Sequence, residues 1–580
     1  MTVAEEDTEI YRRASEAFSG DNPTAEVLVQ ESTETVFGRS ASWSYIRKRI
    51  RKFPRRPLLA LFSLLSVQLD QGRHPLDAVL QYRVTQRLAD ESRRSRGLLR
   101  RLREEPHRVV ISEEQLGILA AVAISYAEGE QWPPDGNIML LEAFLAFNSL
   151  RYSEIESRTS DAITRLLFTE VRASVTDVGN KAEVLKRWGA FAFWARTDAA
   201  RASRTYIDLD GLFERALGMS YLDFAASMFA FYSNFGAPVM GPGGDIRNYP
   251  FLDTAAFLAS VERPETLHRW LRQVSVGMVD AKDRLLESQL YASIASLVQF
   301  MATPLLIDGE ATYCPALRYL PNAAGEGLLF RLGHFLEASE NRMASDRLRS
   351  FYGDFLESYV TDFMREATRS RGCSIFRERT FGKSEERTSD IAIFDHQDAI
   401  FIDVNSKRFN VTHSVLALDL DWIRRDLESM IVAKLRKIAK RAREFRSGRL
   451  AYEGVRNENI KRITGIVVTP QGLTRLVGIT QELDAMLPSM PDGLDQWEFF
   501  DLSEVETLPQ MFDGDLNIGD LVERKRRDEA GRRRSLTNYL WLRERDRLSD
   551  RRTDEDRLDD PWFQEVLARA QSWGLRGDRQ

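Results

Sequence analysis

Two short apolar runs carry acids where a buried strand ordinarily carries none. One reads Thr388-Ser389-Asp390-Ile-Ala-Ile-Phe-Asp395, the other Ala399-Ile-Phe-Ile-Asp403-Val404-Asn405-Ser406-Lys407. Asp390 opens the first run, and Asp403 follows four apolar residues near the end of the second. Apolar flanks predict mostly buried strands, and a buried carboxylate is costly unless it is paired or bound to a metal. A shared divalent cation is a natural solution, because hard cations take oxygen ligands. Side chains alternate along a strand, so the pattern sends Asp403, Asn405 and Lys407 to one side. A lysine there would hold or polarise a water beside the metal, which is what phosphodiester hydrolysis needs. The plainer alternative makes both aspartates turn formers or edge charges.

The elements that must position these residues begin after Asn341. A helix is expected over about Ala344–Arg369, stopping before Arg371-Gly372. Three β-type runs follow, Ser374–Thr380, Asp390–Phe394 and Ala399–Asn405, the last two joined by the turn-like Asp395-His396-Gln397-Asp398 as a hairpin. Next come a long helix over about Leu420–Arg446, a strand over Ile463–Thr469 closed by Pro470, and a helix-like stretch over Leu473–Leu487. A last strand is expected at Trp497–Asp501. The order α-β-β-β-α-β predicts a mixed sheet flanked by helices over residues 342–515. Residues 1–30 read as an acidic mobile arm. Residues 31–341 read as all-helical, with apolar periodicity at Leu58–Leu69, Glu113–Tyr126, Met139–Asn148 and Tyr221–Phe235 and breaks at Trp132–Gly136, Gly241–Pro250 and Ile307–Pro315. Residues 516–580 read as a charged helical tail whose last helix, capped by Asp560 and stopped at Gly574, carries apolar residues for docking. The fold class is multidomain, α followed by α/β.

Over about residues 344–510 this arrangement resembles the PD-(D/E)xK nuclease superfamily. The resemblance implies a restriction-endonuclease-like fold, Mg²⁺ or Mn²⁺ as cofactor, and hydrolysis of DNA, with RNA left open as a substrate. It makes Asp390 the first metal ligand and Asp403 the second, with the Val404 carbonyl beside them. It also matches Glu357, in Gly353-Asp-Phe-Leu-Glu357, to the acid that many members carry on the preceding helix. The sequence departs from the family at one position: the lysine expected two residues after the second acid is Asn405. Lys407, one pleat further on, or Lys434 on the next helix is then the source of the ammonium. An inactive member of the same fold that binds nucleic acid or scaffolds partners is the alternative that Asn405 favours; a third makes the helical half a protein-interaction platform. For Glu357, the apolar set Leu348, Phe351, Tyr352, Phe355, Leu356, Tyr359 and Phe363 marks one helix face, with Glu357 nearly opposite its centre. It meets the site only if that helix is packed on two sides, and is otherwise a surface glutamate.

Charge patterning adds a candidate nucleic-acid contact. Lys437, Lys440, Arg441 and Arg443 lie in a strongly basic helix with Lys434, Arg436 and Arg446, a face that phosphates would bind with salt-sensitive affinity. A solvated helix face is the alternative in a chain with 69 arginines against 12 lysines. Arg47–Arg56 and Arg524–Arg534 are two further basic clusters. The whole chain is near charge balance, with 87 acidic and 81 basic residues and a formal net charge of -6, which excludes a polybasic, histone-like protein. Two cysteines and six scattered histidines exclude a disulfide scaffold and a paired-cysteine or histidine zinc motif.

Remaining signals are weak. Gly382-Lys383-Ser384 lacks the first glycine of a phosphate-binding loop, which falls on Arg377, and Gly241-Pro-Gly-Gly244 lacks the strand-to-helix context of a dinucleotide site. Cys373 reads as a small buried residue and His413 as a satisfied loop histidine. Neither a signal peptide nor a membrane span is expected, so the chain reads as soluble and cytoplasmic, with no membrane partner. A homo-oligomer or a protein partner would engage the helical region. A role in defence against foreign DNA is the expectation that the architecture suggests.

Overall fold

The computed structural model describes residues 29–540 except 72–73, 106–107, 177–180, 236–252, 260, 288–294, 383–384, 471–476, 513, 529–530, 532–535 and 537–538, with a few residues of each terminal segment. Most of the arm over 1–30, the loop 241–244, Lys383 and Ser384, and most of the helix expected after Asp560 lie outside the described residues.

The periodic segments of the first half are helices, over Arg55–Gln71, Glu113–Tyr126, Gly136–Arg158 and Tyr221–Phe235. Glu113–Tyr126 begins with a reciprocal cap, in which Ser112 accepts from Gln115 N–H and Gln115 answers at the Ser112 backbone. It is buried on nearly all sides from Glu114 to Ser125, so its apolar residues occupy the whole circumference and not one stripe. The region is not all-helical, however. Leu305–Asp308 and Ala311–Tyr313 form an antiparallel hairpin, with Ser275–Gly277 parallel to its first strand, and Val29–Gln30 pairs with Arg108–Val109. The break expected at Ile307–Pro315 is this hairpin's turn, where Gly309 takes φ +65°, a conformation that glycine adopts without a Cβ penalty.

In the second half α1 (Ala162–Thr176) and α2 (Lys181–Trp194) come forward from the helical region to meet a five-stranded sheet. The order is α3 (Arg342–Ala367), β1 (Ser374–Arg377), β2 (Ile391–Asp395), β3 (Asp398–Val404), α4 (Leu420–Leu427), α5 (Ala433–Arg446), β4 (Arg462–Thr469), α6 (Val477–Met486), β5 (Gln496–Asp501), α7 (Leu502–Phe512) and α8 (Ile518–Arg527). In space the strands lie β5-β4-β3-β2-β1. β3, β4 and β5 are parallel, while β2 runs antiparallel to both β3 and β1. The expected hairpin forms with Asp395 opposite Asp398, and His396 at its tip takes φ +51°.

Both faces of the sheet are covered, which is why β2, β3 and β4 read as almost continuous apolar runs. Ile391, Ile393, Ile400, Ile402, Ile466 and Phe500 face α3 and share a core with Trp188 and Phe191 of α2. Ala392, Phe394, Phe401, Val467 and Phe499 face α5 and share a core with Leu167, Phe168 and Val171 of α1. Hydrophobic contact is therefore continuous across position 341, where the sequence suggests a boundary. Val566 of the tail is buried in the first of these cores, and Arg569 pairs with Asp223 at 2.9 Å.

Polar bolts run along the same join. Arg187 of α2 is buried and bidentate to Glu506 of α7, at 2.6 and 2.9 Å, while Tyr359 of α3 donates to Glu506 at 2.8 Å. Glu170 of α1 accepts the Gly478 and Ile479 N–H groups at 2.8 and 2.7 Å, capping α6 from the other half of the chain. No helix among the described residues is long and apolar enough to cross a membrane. Removing the partner of a buried charge leaves that charge uncompensated. Arg187→Ala is therefore expected to cost about 3 kcal/mol, read as a lower urea midpoint. Because the halves share cores, unfolding should remain one transition by both far-UV and tryptophan signals; two separated transitions would show the join to be weak.

Candidate functional site

Hairpin register sets the site. Ile391 pairs with Ile402, so the residues one step beyond the ladder, Asp390 and Asp403, stand side by side at its open end. They share a face with Ala392, Phe394, Ala399 and Phe401, the face toward α5. Asp390 is 4% exposed and Asp403 fully buried. Each carboxylate also grips the other strand: Val404 N–H donates to Asp390 Oδ2 at 2.8 Å, and Asp390 N–H donates to Asp403 Oδ1 at 3.2 Å. Like charges directly opposite across strands repel, so this pair needs cationic company.

Two lysines of α5 supply it. Lys434 Nζ lies 3.7 Å from Asp390 Oδ2 and 3.9 Å from Asp403 Oδ2, and donates to the Val404 carbonyl at 3.1 Å. Lys437 Nζ lies 3.0 Å from Asp403 Oδ2 and 3.4 Å from Asp390 Oδ1. At a spacing of three they share one helix face. Burial opposes the charge on Lys437, but Asp403 and Asp390 outweigh it and raise its pKa. Burial, then the Asp390 charge, pushes Asp403 up to about 6, against the pull of both lysines.

Two glutamates complete the electrostatic neighbourhood. Glu357 is half-buried, so α3 is indeed packed on two sides, and burial with repulsion from Asp390, Glu378 and Asp354 pushes its pKa up to about 8. Glu378, two residues before the small ladder of Thr380–Phe381 with Glu386–Arg387, is raised by burial and by Asp390, against Arg387 and both lysines. Glu378 was not a candidate from sequence. Its one signal is alternation with Phe376 along the first β-type run. For Lys437 the signal is its spacing of three from Lys434, which puts both on one helix face.

Lys407 is not brought to the carboxylates. β3 ends at Val404, and the Lys407 N–H turns back to Asn405 Oδ1 at 2.9 Å, leaving its side chain exposed. The alternation expected through Asn405 and Lys407 fails because the strand stops first. Lys440 and Arg443 are exposed on the same helix, but each of Lys440, Arg441 and Arg443 has an acidic partner. Lys440 and Arg441 meet Glu386 at 2.8 and 2.5 Å, buried Arg441 also meets Glu444, and Arg443 pairs with Asp492 at 3.3 Å. In the cluster Arg47–Arg56, Arg49, Arg51 and Arg56 pair with Glu142, Glu128 and Asp308. In Arg524–Arg534, Lys525 is buried against Glu498 at 3.0 Å. Burial pushes the half-buried Cys373 thiol up to about 11, which makes a poor nucleophile. His413 stacks on Trp422 with ring centroids 4.4 Å apart.

The oxygen donors suit a hard divalent cation: two adjacent carboxylates and the Val404 carbonyl. Asp403 Oδ2 is buried, with Lys437 Nζ 3.0 Å away. Among the described residues no group of three or more His, Cys, Asp or Glu side chains is disposed to hold a metal. The protein share would be these three oxygens, with water and substrate filling the rest, a division common for Mg²⁺. No protein-family model, curated protein or solved structure matches this chain.

A carboxyl whose pKa is raised on folding favours the folded state while protonated. The Glu357 contribution is therefore full below its ordinary value of 4.5 and is lost as pH rises toward about 8. Glu357→Gln should flatten the fall in stability across that window. Denaturant midpoints from pH 5 to pH 8.5 that fall as steeply in the variant as in the wild type would refute this.

Proposed function

We propose that the region 342–515 has a restriction-endonuclease-like fold and that the protein is a metal-dependent nuclease acting on DNA. The observation that carries the reading is the quartet of two buried aspartates and two lysines at the open end of the β2–β3 hairpin. The element order α-β-β-β-α-β, with a parallel β3–β4 crossover through α5, supports the same fold. The ammonium missing at Asn405 has a counterpart in Lys434 and Lys437, which lowers the weight of the inactive alternative.

Asp390, Asp403 and the Val404 carbonyl would hold a Mg²⁺ or Mn²⁺ ion. When bound, such an ion lowers the pKa of a water and neutralises charge on the phosphate. Lys437 and Lys434, held beside the same carboxylates, orient the attacking water and stabilise charge building on the phosphate oxygens, a role worth most where water is excluded. Glu357, with its pKa near neutrality, can hold or release a proton in the working range. The internal pairing of Lys440, Arg441 and Arg443 leaves Lys434 and Lys437 as the cations of α5 best placed for a scissile phosphate.

The test is cleavage of supercoiled and linear DNA, with RNA in parallel, in Mg²⁺ or Mn²⁺ by wild type and Asp403→Ala. Cutting by wild type alone is expected. Lys434→Ala and Lys437→Ala should each lower the rate about 100-fold, and Lys407→Ala much less. DNA retained without cutting by either protein would point to a binding role for the fold. Cutting by both would place the activity elsewhere.

A further inference from the structure

Asn405 stands where the lysine of the resembled family would stand, and its backbone N–H and both ends of its side-chain amide are engaged. Its N–H donates to the Val468 carbonyl at 2.8 Å, extending the β3–β4 ladder, and its Oδ1 accepts the Lys407 N–H. Its Nδ2 donates to the carbonyls of Met430 at 2.6 Å and Ser429 at 3.2 Å. An amide can do this because it carries both donors and an acceptor, whereas an ammonium carries no acceptor.

The two carbonyls belong to an unusual turn. Between α4 and α5 the helix is π-wound over Glu428–Val432, and Ala433 N–H bonds to the Glu428 carbonyl five residues back. A π turn inserts one residue, which rotates everything downstream by roughly 100° relative to an unbroken α-helix. Lys434 lies two residues past the turn and Lys437 three further on. That rotation decides which residues of α5 face Asp390 and Asp403.

We propose that Asn405 is a positioning residue: it secures the π turn and so sets the angle at which Lys434 and Lys437 meet the two aspartates. Its kinetic consequence rests on the nuclease reading, whereas the placement of the lysines does not. The sequence has exchanged an ammonium at the strand end for an amide that aims two ammoniums from the next helix.

The test uses the full chain and two readouts. The first is acetylation of individual lysines by limiting acetic anhydride, followed by mass spectrometry. In wild type, Lys434 and Lys437 should react slowly relative to exposed Lys407. In Asn405→Ala both should react about fivefold faster, the factor that losing a hydrogen bond of ordinary net strength represents. Lys525, buried against Glu498, reports global unfolding and should stay protected. If it opens too, Asn405→Ser, which retains a donor, is read the same way. Unchanged protection of Lys434 and Lys437 in a folded variant overturns the proposal.

The second readout is cleavage. Asn405→Ala should lower kcat with little change in KM, and should add nothing in the Lys434→Ala/Lys437→Ala background. A further, multiplicative loss in that background would overturn a role exerted through the lysines. If wild type cuts no nucleic acid yet the lysines open in Asn405→Ala, the nuclease reading fails while the positioning role stands.

Discussion

Two carboxylates forced together inside an apolar sheet are the constraint that the rest of this structure answers. A single pairing, Ile391 with Ile402, brings Asp390 beside Asp403 at the end of the hairpin. Both are buried, and separating them would require slipping the register of two buried strands, turning every inward side chain outward. Compensation must therefore come from outside the hairpin. It arrives from α5, which crosses the face that both acids share, and two ammoniums meet two carboxylates within 4 Å. Removing four charges from water to form such a group is costly, and apolar residues at the same positions would fill the space at less cost. The charges are retained nonetheless, and burial raises the carboxyl pKa values at Glu357 and Asp403.

The helical half belongs to this arrangement. α3 carries Glu357 and, two residues later, Tyr359, which donates to the same Glu506 that Arg187 holds. The helix that brings an acid toward the site is thus tied both to α7 and to α2. On the opposite face, α1 covers the sheet alongside α5 and caps α6 through Glu170. The sheet would present large apolar faces if these helices were removed, so the N-terminal residues supply part of its interior.

The sheet was largely legible in the sequence because its signals are local. Short apolar runs with turn residues between them gave the hairpin, and all five expected strands lie within a few residues of those observed. The small sheet of the first half escaped because its strands are three or four residues long and lie in a predominantly helical pattern. The aspartate pair was legible from composition and alternation. The lysines were only half legible: Lys434 and Lys437 share a helix face at any rotation, but which face meets the sheet depends on a π turn that leaves no pattern in the residues. Lys407 misled for a related reason, since alternation holds only while the strand lasts. The basic run of α5 shows the limit of charge counting, because Glu386 and Asp492 lie 54 and 49 residues from Lys440 and Arg443 in sequence yet pair with them, while Glu444 of the same helix takes up Arg441.

The clasp between Arg187 and Glu506 spans 319 residues of chain. At a synthesis rate of about 5–20 residues per second, Arg187 waits on the order of half a minute for its partner to be made. Throughout that interval α1 and α2 are on the nascent chain without the sheet they cover, and Trp188, Phe191 and Phe168 lack their final neighbours. Closing so long a loop carries an entropic cost that local helix formation does not offset. The early half of this protein must therefore stay open until β5 and α7 arrive, which makes its birth, more than its mature state, the stage at which it is most exposed to aggregation.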